Sequence, residues 1–177
     1  MSGGPLVSHR PVLVLACGNP SRGDDALGPE LVARLQRDQL LGTLTQVELL
    51  TDFQLQVEHA LDLRQRRAVL FADASLTARP PFELGRVGPS PNPTYTTHAL
   101  SPGAVLHAFR MIEGRPPPPA WLISIRGYRF ALGAGMSRTA KANLDQALDR
   151  LKKLLERDPA EWGRLMPERQ TVATDLG

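Results

Sequence analysis

The chain has 177 residues, of which 42% are hydrophobic and 22% charged, as expected for one globular domain with a sizeable core. Its single cysteine excludes an intrachain disulfide and a cysteine-based zinc cluster, and its longest apolar run, at residues 12–17, is too short to cross a bilayer. The formal net charge of +3 comes from scattered basic residues and only 5% of residues are aromatic, so no nucleic-acid partner is expected. The N-terminus lacks an apolar signal core, which predicts a cytoplasmic protein with no membrane attachment.

The first half of the chain begins with a strand and a helix. The apolar run Pro11–Cys17 predicts a strand buried on both faces, and the Gly-Asn-Pro turn at residues 18–20 ends it. In the helix that follows, Pro29 is expected in the first turn, where proline is tolerated. Spacing predicts that this helix buries one face, formed by Leu27, Leu31, Val32 and Leu35.

The segments up to residue 93 continue this alternation. A second strand is predicted at Thr45–Thr51, then a helix at Leu55–Leu63 that turns Val57, Ala60 and Leu61 inward. The third strand is Arg67–Asp73, a second buried run with Asp73 as its last residue. The proline-rich stretch at 79–93 predicts loop, with room for a short edge strand at Phe82–Val87.

Helix signals are clearest in the second half. Ser101-Pro102 is typical of a helix start, with a serine cap and proline at the first helical position. The expected apolar side of that helix comprises Val105, Leu106, Phe109 and either Met111 or Ile112. Four prolines at 116–119 end it, and a strand is predicted at Trp121–Ile125. The last helix, Ser137–Arg157, has a buried stripe of Leu144, Leu148, Leu151 and Leu155.

This order predicts a three-layer α/β/α fold, with an open, twisted and mainly parallel sheet of about five strands, an antiparallel edge strand and helices on both faces. Residues 1–157 are expected to form a single domain, followed by a flexible or loosely packed tail at 158–177. Nothing in the sequence indicates an oligomeric interface, so a monomer is expected. Ligands of such sheets bind beyond the carboxyl ends of the strands, so residues placed there matter most.

Polar residues gather at this expected edge. Asp24 and Asp25 follow the first strand, Asp73 ends the third, and His98 closes a long loop before a helix. Two carboxylates and an imidazole suit a borderline divalent metal such as nickel, zinc or copper, and three ligands leave positions open for substrate. The residues alone favour structural roles: Asp24 or Asp25 as a helix cap, Asp73 as an acceptor for loop amides, and His98 as a loop histidine.

Three segments carry a resemblance to a known family. The run from Leu15 to Gly28, LACGNPSRGDDALG, resembles the opening signature of nickel–iron hydrogenase maturation proteases. The segment VLFADA at 69–74 resembles their second motif, an apolar strand ending in Asp-Ala. The segment THALSPGAVL at 97–106 resembles the third, a histidine before a helix. The motifs occur in the family's order and span the core, about residues 11 to 155.

The resemblance implies an endopeptidase that removes the C-terminal extension of a hydrogenase large-subunit precursor after nickel insertion. Asp25, Asp73 and His98 match the family's metal ligands and are the expected catalytic and metal-binding residues. The nickel would come with the substrate, and the free enzyme would bind metal weakly. The segment at 52–56 replaces a glycine-rich turn found in some members, which suggests a role for Gln54 in substrate fit.

Other readings are weaker. A metal-sensing assembly chaperone would keep the same ligands and cleave nothing. A phosphorylation-dependent receiver domain would use Asp73 as acceptor, but it needs a lysine after a late strand, and the lysines are Lys141, Lys152 and Lys153, all in the last helix. His59 lacks the HExxH spacing of zinc proteases, and His107 is expected on a helix surface. Cys17 lies in a buried strand and is expected to be an inert core thiol.

Overall fold

The computed structural model describes residues 10–91 and 99–166. In this part of the chain, no helix is long and apolar enough to span a membrane. The strands and helices, in chain order, are β1 (Val12–Cys17), α1 (Leu27–Leu40), β2 (Val47–Asp52), α2 (His59–Asp62), β3 (Ala68–Ser75), β4 (Phe82–Val87), α3 (Pro102–Glu113), β5 (Ala120–Arg126), α4 (Arg138–Leu155) and α5 (Trp162–Leu165).

These strands form one sheet in the order β2-β1-β3-β5-β4. Strands β2, β1, β3 and β5 are parallel, and β4 pairs antiparallel with β5 at the edge. The predicted mainly parallel α/β sheet with an antiparallel edge strand is therefore confirmed. The antiparallel edge also argues against the receiver reading, because receiver domains use a doubly wound sheet with the strand order 2-1-3-4-5.

Helices cover both faces of the sheet, as alternating side chains require. Alternate residues of β1 enter two different cores: Val12, Val14 and Ala16 face α1 and α4, whereas Leu13, Leu15 and Cys17 face α2 and α3. The predicted inward stripes of α1 and α4 are confirmed, since their eight named positions are all buried.

Helix α3 begins as predicted. The Ser101 hydroxyl accepts a hydrogen bond from the Ala104 N–H (3.1 Å), and Pro102 is the first helical residue. Met111 and Ile112, however, are 70% and 51% exposed, so neither extends its apolar side as expected. The helix ends at Gly114, whose φ of 65° lies in the left-handed region that glycine adopts easily.

The predicted helix at residues 55–63 was wrong over most of its length. Only His59–Asp62 is helical, and Val57 and Leu61 are 48% and 45% exposed. The segment is instead a series of turns, in which the Gln56 N–H donates to Nδ1 of His59 (2.8 Å). Such a local side-chain acceptor stabilises a turn in competition with the helix. Leu55, Ala60 and Leu63 supply the buried contacts.

Residues beyond 157 are part of the core. Trp162 is fully buried and packs edge-on against Trp121, with ring centroids 5.2 Å apart. Met166 is also buried, and Arg67 forms an ion pair with Asp158 (2.8 Å). For residues 158–166 the expected loose tail is thus replaced by packed structure, because two large apolar side chains anchor it. The rest of that tail, 167–177, lies outside the described residues.

Candidate functional site

The loop after β1 is shaped by three glycines, spaced five residues apart, that leave no room for side chains. A methyl group at Gly18 would overlap the Asp25 carbonyl oxygen, and one at Gly23 would overlap that of Arg129. Both residues also have positive φ angles, 149° and 54°. At Gly28 a methyl group would overlap the Cys17 carbonyl. The start of α1 is therefore held directly against the end of β1.

Asp25 lies in a 3-10 turn, Gly23–Ala26, within this loop. Its Oδ2 accepts a hydrogen bond from the Asn19 N–H (2.9 Å). Asn19 in turn accepts from the Ser21 N–H at Oδ1 (2.9 Å), so the Gly-Asn pair of the motif orients the loop around Asp25. Within the described residues, the other Asp25 oxygen has no hydrogen bond. One oxygen is thus held in place while the other is available to a ligand.

Asp73 lies near the carboxyl end of β3, at the same edge of the sheet as the Asp25 loop. The strand continues two residues beyond it to Ser75, so Asp73 is not the strand's last residue as predicted. The Ala74 N–H donates to its Oδ1 (2.8 Å). The second oxygen has no hydrogen bond to a described residue, as for Asp25.

Strand register aligns three side chains at the edge of the sheet. Cys17 pairs with Asp52 of β2, and Ala16 pairs with Ala72 of β3, so Asp73 lies level with Cys17. Residues at the same level of parallel strands point to the same side. Cys17 belongs to the core beneath α3, so Asp52 and Asp73 also face that side.

The carboxylates raise the pKa of their neighbours. Asp73 is exposed as a residue, but the surrounding protein desolvates its carboxyl group and raises its pKa to about 7. The hydrogen bond from the Ala74 N–H opposes this shift, and the charge of Asp25 adds to it. Burial, followed by the charges of Asp73, Asp52 and Asp25, raises the pKa of Cys17 to about 12. Three acidic groups are therefore close enough to be coupled, and Cys17 stays a neutral thiol, as the sequence predicted.

The predicted third member of the site is not placed. His98 lies outside the described residues, and within 10–91 and 99–166 no three histidine, cysteine, aspartate or glutamate side chains are arranged to hold a metal. The chain re-enters the described part at Ala99, and the Leu100 N–H donates to the carbonyl of Leu55 (3.3 Å). Asp25 and Asp73 are thus brought together, while the role of His98 stays a prediction.

Asp24, the neighbour of Asp25, has a structural role. It is fully buried, and its Oδ2 accepts from the N–H groups of Tyr128 (2.7 Å) and Arg129 (3.0 Å). Ser137 adds two more bonds, from its N–H to Oδ1 and from its hydroxyl to Oδ2. Because Ser137 caps α4, this carboxylate fixes the β5–α4 loop to the β1 loop. Of the two adjacent aspartates, only Asp25 is left for chemistry.

Asp52 and His59 were not predicted as part of the site. Because Nδ1 of His59 accepts from Gln56, the ring proton lies on Nε2, which points at Oδ2 of Asp52 (3.3 Å). The Phe53 N–H donates to the other oxygen of Asp52 (2.7 Å). The sequence could have indicated Asp52, because it directly follows the predicted second strand, just as Asp73 ends the predicted third strand.

Comparison with solved structures shows which proteins share this fold. The chain superimposes on the nickel–iron hydrogenase maturation protease HycI from Thermococcus kodakarensis KOD1 with a TM-score of 0.64 and 20% identity, over 85% of this chain and 96% of that one. It matches the hydrogenase maturating endopeptidase HybD from E. coli with a TM-score of 0.62 and 25% identity, over 82% and 91%. The chain thus has the fold of nickel–iron hydrogenase maturation proteases, which supports the resemblance seen in its sequence motifs.

A further similarity supports the enzyme class. An Escherichia coli endopeptidase solved in solution is 25% identical with a TM-score of 0.59, over 79% of this chain and 88% of that one. The names of these neighbours support the predicted enzyme class, a hydrolase of the peptidase type. No family model matches the sequence, and no curated protein matches it significantly. The relationship is therefore carried by the fold and by identity of at most 25% to the structures cited here.

Proposed function

We propose that this maturation protease removes the C-terminal extension of a nickel–iron hydrogenase large-subunit precursor after nickel insertion. Asp25, Asp73 and His98 engage the nickel ion that the precursor carries, so the metal is part of the substrate. Both the HycI and the HybD proteins cited above are named for hydrogenase maturation. The precursor is the partner, and the site recognises the nickel bound to it before cleavage.

The carboxylate pair carries this proposal. Asp25 and Asp73 each have one oxygen fixed by a backbone N–H and one oxygen without a hydrogen bond among the described residues. Their mutual repulsion contributes to the raised pKa of Asp73. A bound cation relieves such repulsion, so two coupled, half-bonded carboxylates fit a metal-bearing substrate. Carboxylates and an imidazole together suit a borderline ion such as nickel.

The residues of this chain would position the substrate. Asp25 is fixed by Asn19 and Asp73 by its strand, so both present an oxygen at the carboxyl end of the sheet, where the precursor's C-terminal region docks. The nickel ion of the substrate, held there, would supply Lewis-acid chemistry to a neighbouring peptide carbonyl. Desolvation and the charge of Asp25 raise the pKa of Asp73 to about 7, and a nearby cation would act in the opposite direction.

The proposal is tested by cleavage of a purified large-subunit precursor, with and without nickel. We expect wild-type enzyme to cleave only the nickel-loaded precursor, and Asp25→Asn, Asp73→Asn and His98→Ala to lose this activity while remaining folded. Asp149→Asn, on the exposed side of α4, and His107→Ala, within α3, are matched controls that should cleave normally.

The outcomes separate the alternatives. Nickel-dependent binding of the precursor without any cleavage would favour the assembly chaperone. Full cleavage by His98→Ala would remove His98 from the site and leave the two aspartates. Cleavage of precursor lacking nickel, at the wild-type rate, would contradict recognition through the metal.

A further inference from the structure

A second feature of the site is a cavity of about 240 Å³ beside Asp25. Its lining consists of Gly18, Pro20, Pro29, Thr51, Asp52 and Phe53. Gly18 is in direct contact with the Asp25 backbone, since a methyl group there would overlap the Asp25 carbonyl. The cavity is therefore continuous with the segment that holds the proposed nickel-engaging carboxylate.

The walls of this cavity are mainly apolar and stiff. Pro20 and Pro29 provide ring surfaces without N–H donors, and their φ angles are fixed. Phe53 is 69% exposed although it is one of the largest apolar side chains of the chain. Asp52 is the acidic residue among those that line the cavity. Its Oδ1 accepts a hydrogen bond from the Phe53 N–H, and its Oδ2 faces Nε2 of His59. Among the described residues, Phe53 and the proline rings are left open to an apolar group from a ligand.

We propose that this cavity is a side-chain subsite for the precursor, resting on the proposed function, and that Phe53 determines its specificity. The occupant is a large apolar side chain within a few residues of the scissile bond. A cavity of roughly 150 Å³ accommodates benzene, so the larger space here accepts a branched aliphatic or aromatic side chain. Burial of that side chain against Phe53 would help hold the adjacent peptide bond beside Asp25.

A double-mutant cycle tests this subsite. Each of the three residues on either side of the scissile bond in a nickel-loaded precursor is replaced by alanine, and kcat/KM is measured with wild-type, Phe53→Ala and Leu41→Ala enzymes. Leu41, which follows α1 and is 82% exposed, is a control at another exposed apolar position. We expect one apolar position whose truncation lowers kcat/KM roughly tenfold with wild type and Leu41→Ala, but only about twofold with Phe53→Ala.

Each other result is decisive. If wild type cleaves but no position is coupled to Phe53, the subsite is wrong and the proposed function stands. If the coupled position holds arginine or lysine, the cavity recognises a basic side chain through Asp52, and the apolar assignment is overturned. If wild type cleaves no nickel-loaded precursor, the proposed function fails and this inference fails with it. Unfolding temperatures of the three enzymes, which we expect to be equal, exclude a folding defect.

Discussion

Asp24 and Ser137 are joined by two hydrogen bonds, from the serine N–H to Oδ1 (2.7 Å) and from its hydroxyl to Oδ2 (2.8 Å). They connect positions 113 residues apart and bring the cap of α4 to the loop that carries Asp25. The loop that carries Asp25 is thus anchored to α4 by Asp24, whose role is structural.

Asp24→Asn should therefore destabilise the fold. An asparagine oxygen can replace one carboxylate oxygen, but its NH₂ group would face N–H donors that Asp24 now satisfies. We expect the free energy of unfolding, measured in urea, to fall by about 3 kcal/mol, the usual cost of leaving buried donors without an acceptor. Asp149→Asn, at an exposed position, should change it by less than about 0.5 kcal/mol. Equal stability of the two variants would refute this role.

The same carboxylate predicts a pH dependence. Burial raises the pKa of Asp24, but the bonds from Ser137, Arg129 and Tyr128 lower it more, so the folded-state value lies below the ordinary one. Its stabilisation is fully present above the unfolded-state pKa of about 3.9 and is lost as pH falls through the lower folded-state pKa. The stability difference between wild type and Asp24→Asn should therefore shrink as pH drops below about 4. A difference that grows on acidification would contradict the shift.

Cys17 should be unreactive in the folded protein. Its thiol is buried, and its pKa is raised to about 12, so almost no thiolate exists at pH 8. We expect a thiol reagent to label it within minutes in urea and at least about 100-fold more slowly without urea. Cys17→Ala should retain precursor cleavage. Loss of cleavage in a folded Cys17→Ala protein would show that the thiol takes part in the reaction.

Trp162 should matter to stability despite its position beyond the last long helix. It is fully buried against Trp121, so Trp162→Ala leaves a large cavity. The expected loss is about 3–5 kcal/mol in the free energy of unfolding. Truncation after residue 157 should cost at least as much. A stable protein ending at 157 would contradict the packing of this segment.

The elements that could be predicted from the sequence were those with a long periodic pattern of apolar residues or clear boundary residues. Long periodic segments such as α1 and α4 were predictable, because a buried stripe repeats along each helix. The edge strand at Phe82–Val87 was predicted with its bounds, although prolines surround it. The segment at 55–63 was misassigned because its apolar spacing fits a helix, whereas the turn depends on His59 accepting a bond from Gln56.

At the site, residue spacing alone located the carboxylates but not their separate roles, and only the family resemblance singled out Asp25. Asp24 and Asp25 are adjacent and chemically identical, and only contacts with residues 128–137 distinguish the buried one from the accessible one. Asp52 lies 35 residues from Cys17, and only strand pairing places them side by side. Local composition carries no information about such distant partners.

The alignment of Asp52, Cys17 and Asp73 across β2, β1 and β3 has a consequence for how this enzyme tolerates change. A shift of β2 or β3 by one residue would turn its aspartate to the opposite face of the sheet, toward α1 and α4. The hydrophobic alternation that fixes the core is thus also what spaces the acidic groups. Substitutions in the loops around the site would therefore leave the spacing of Asp52 and Asp73 unchanged, because the sheet sets it.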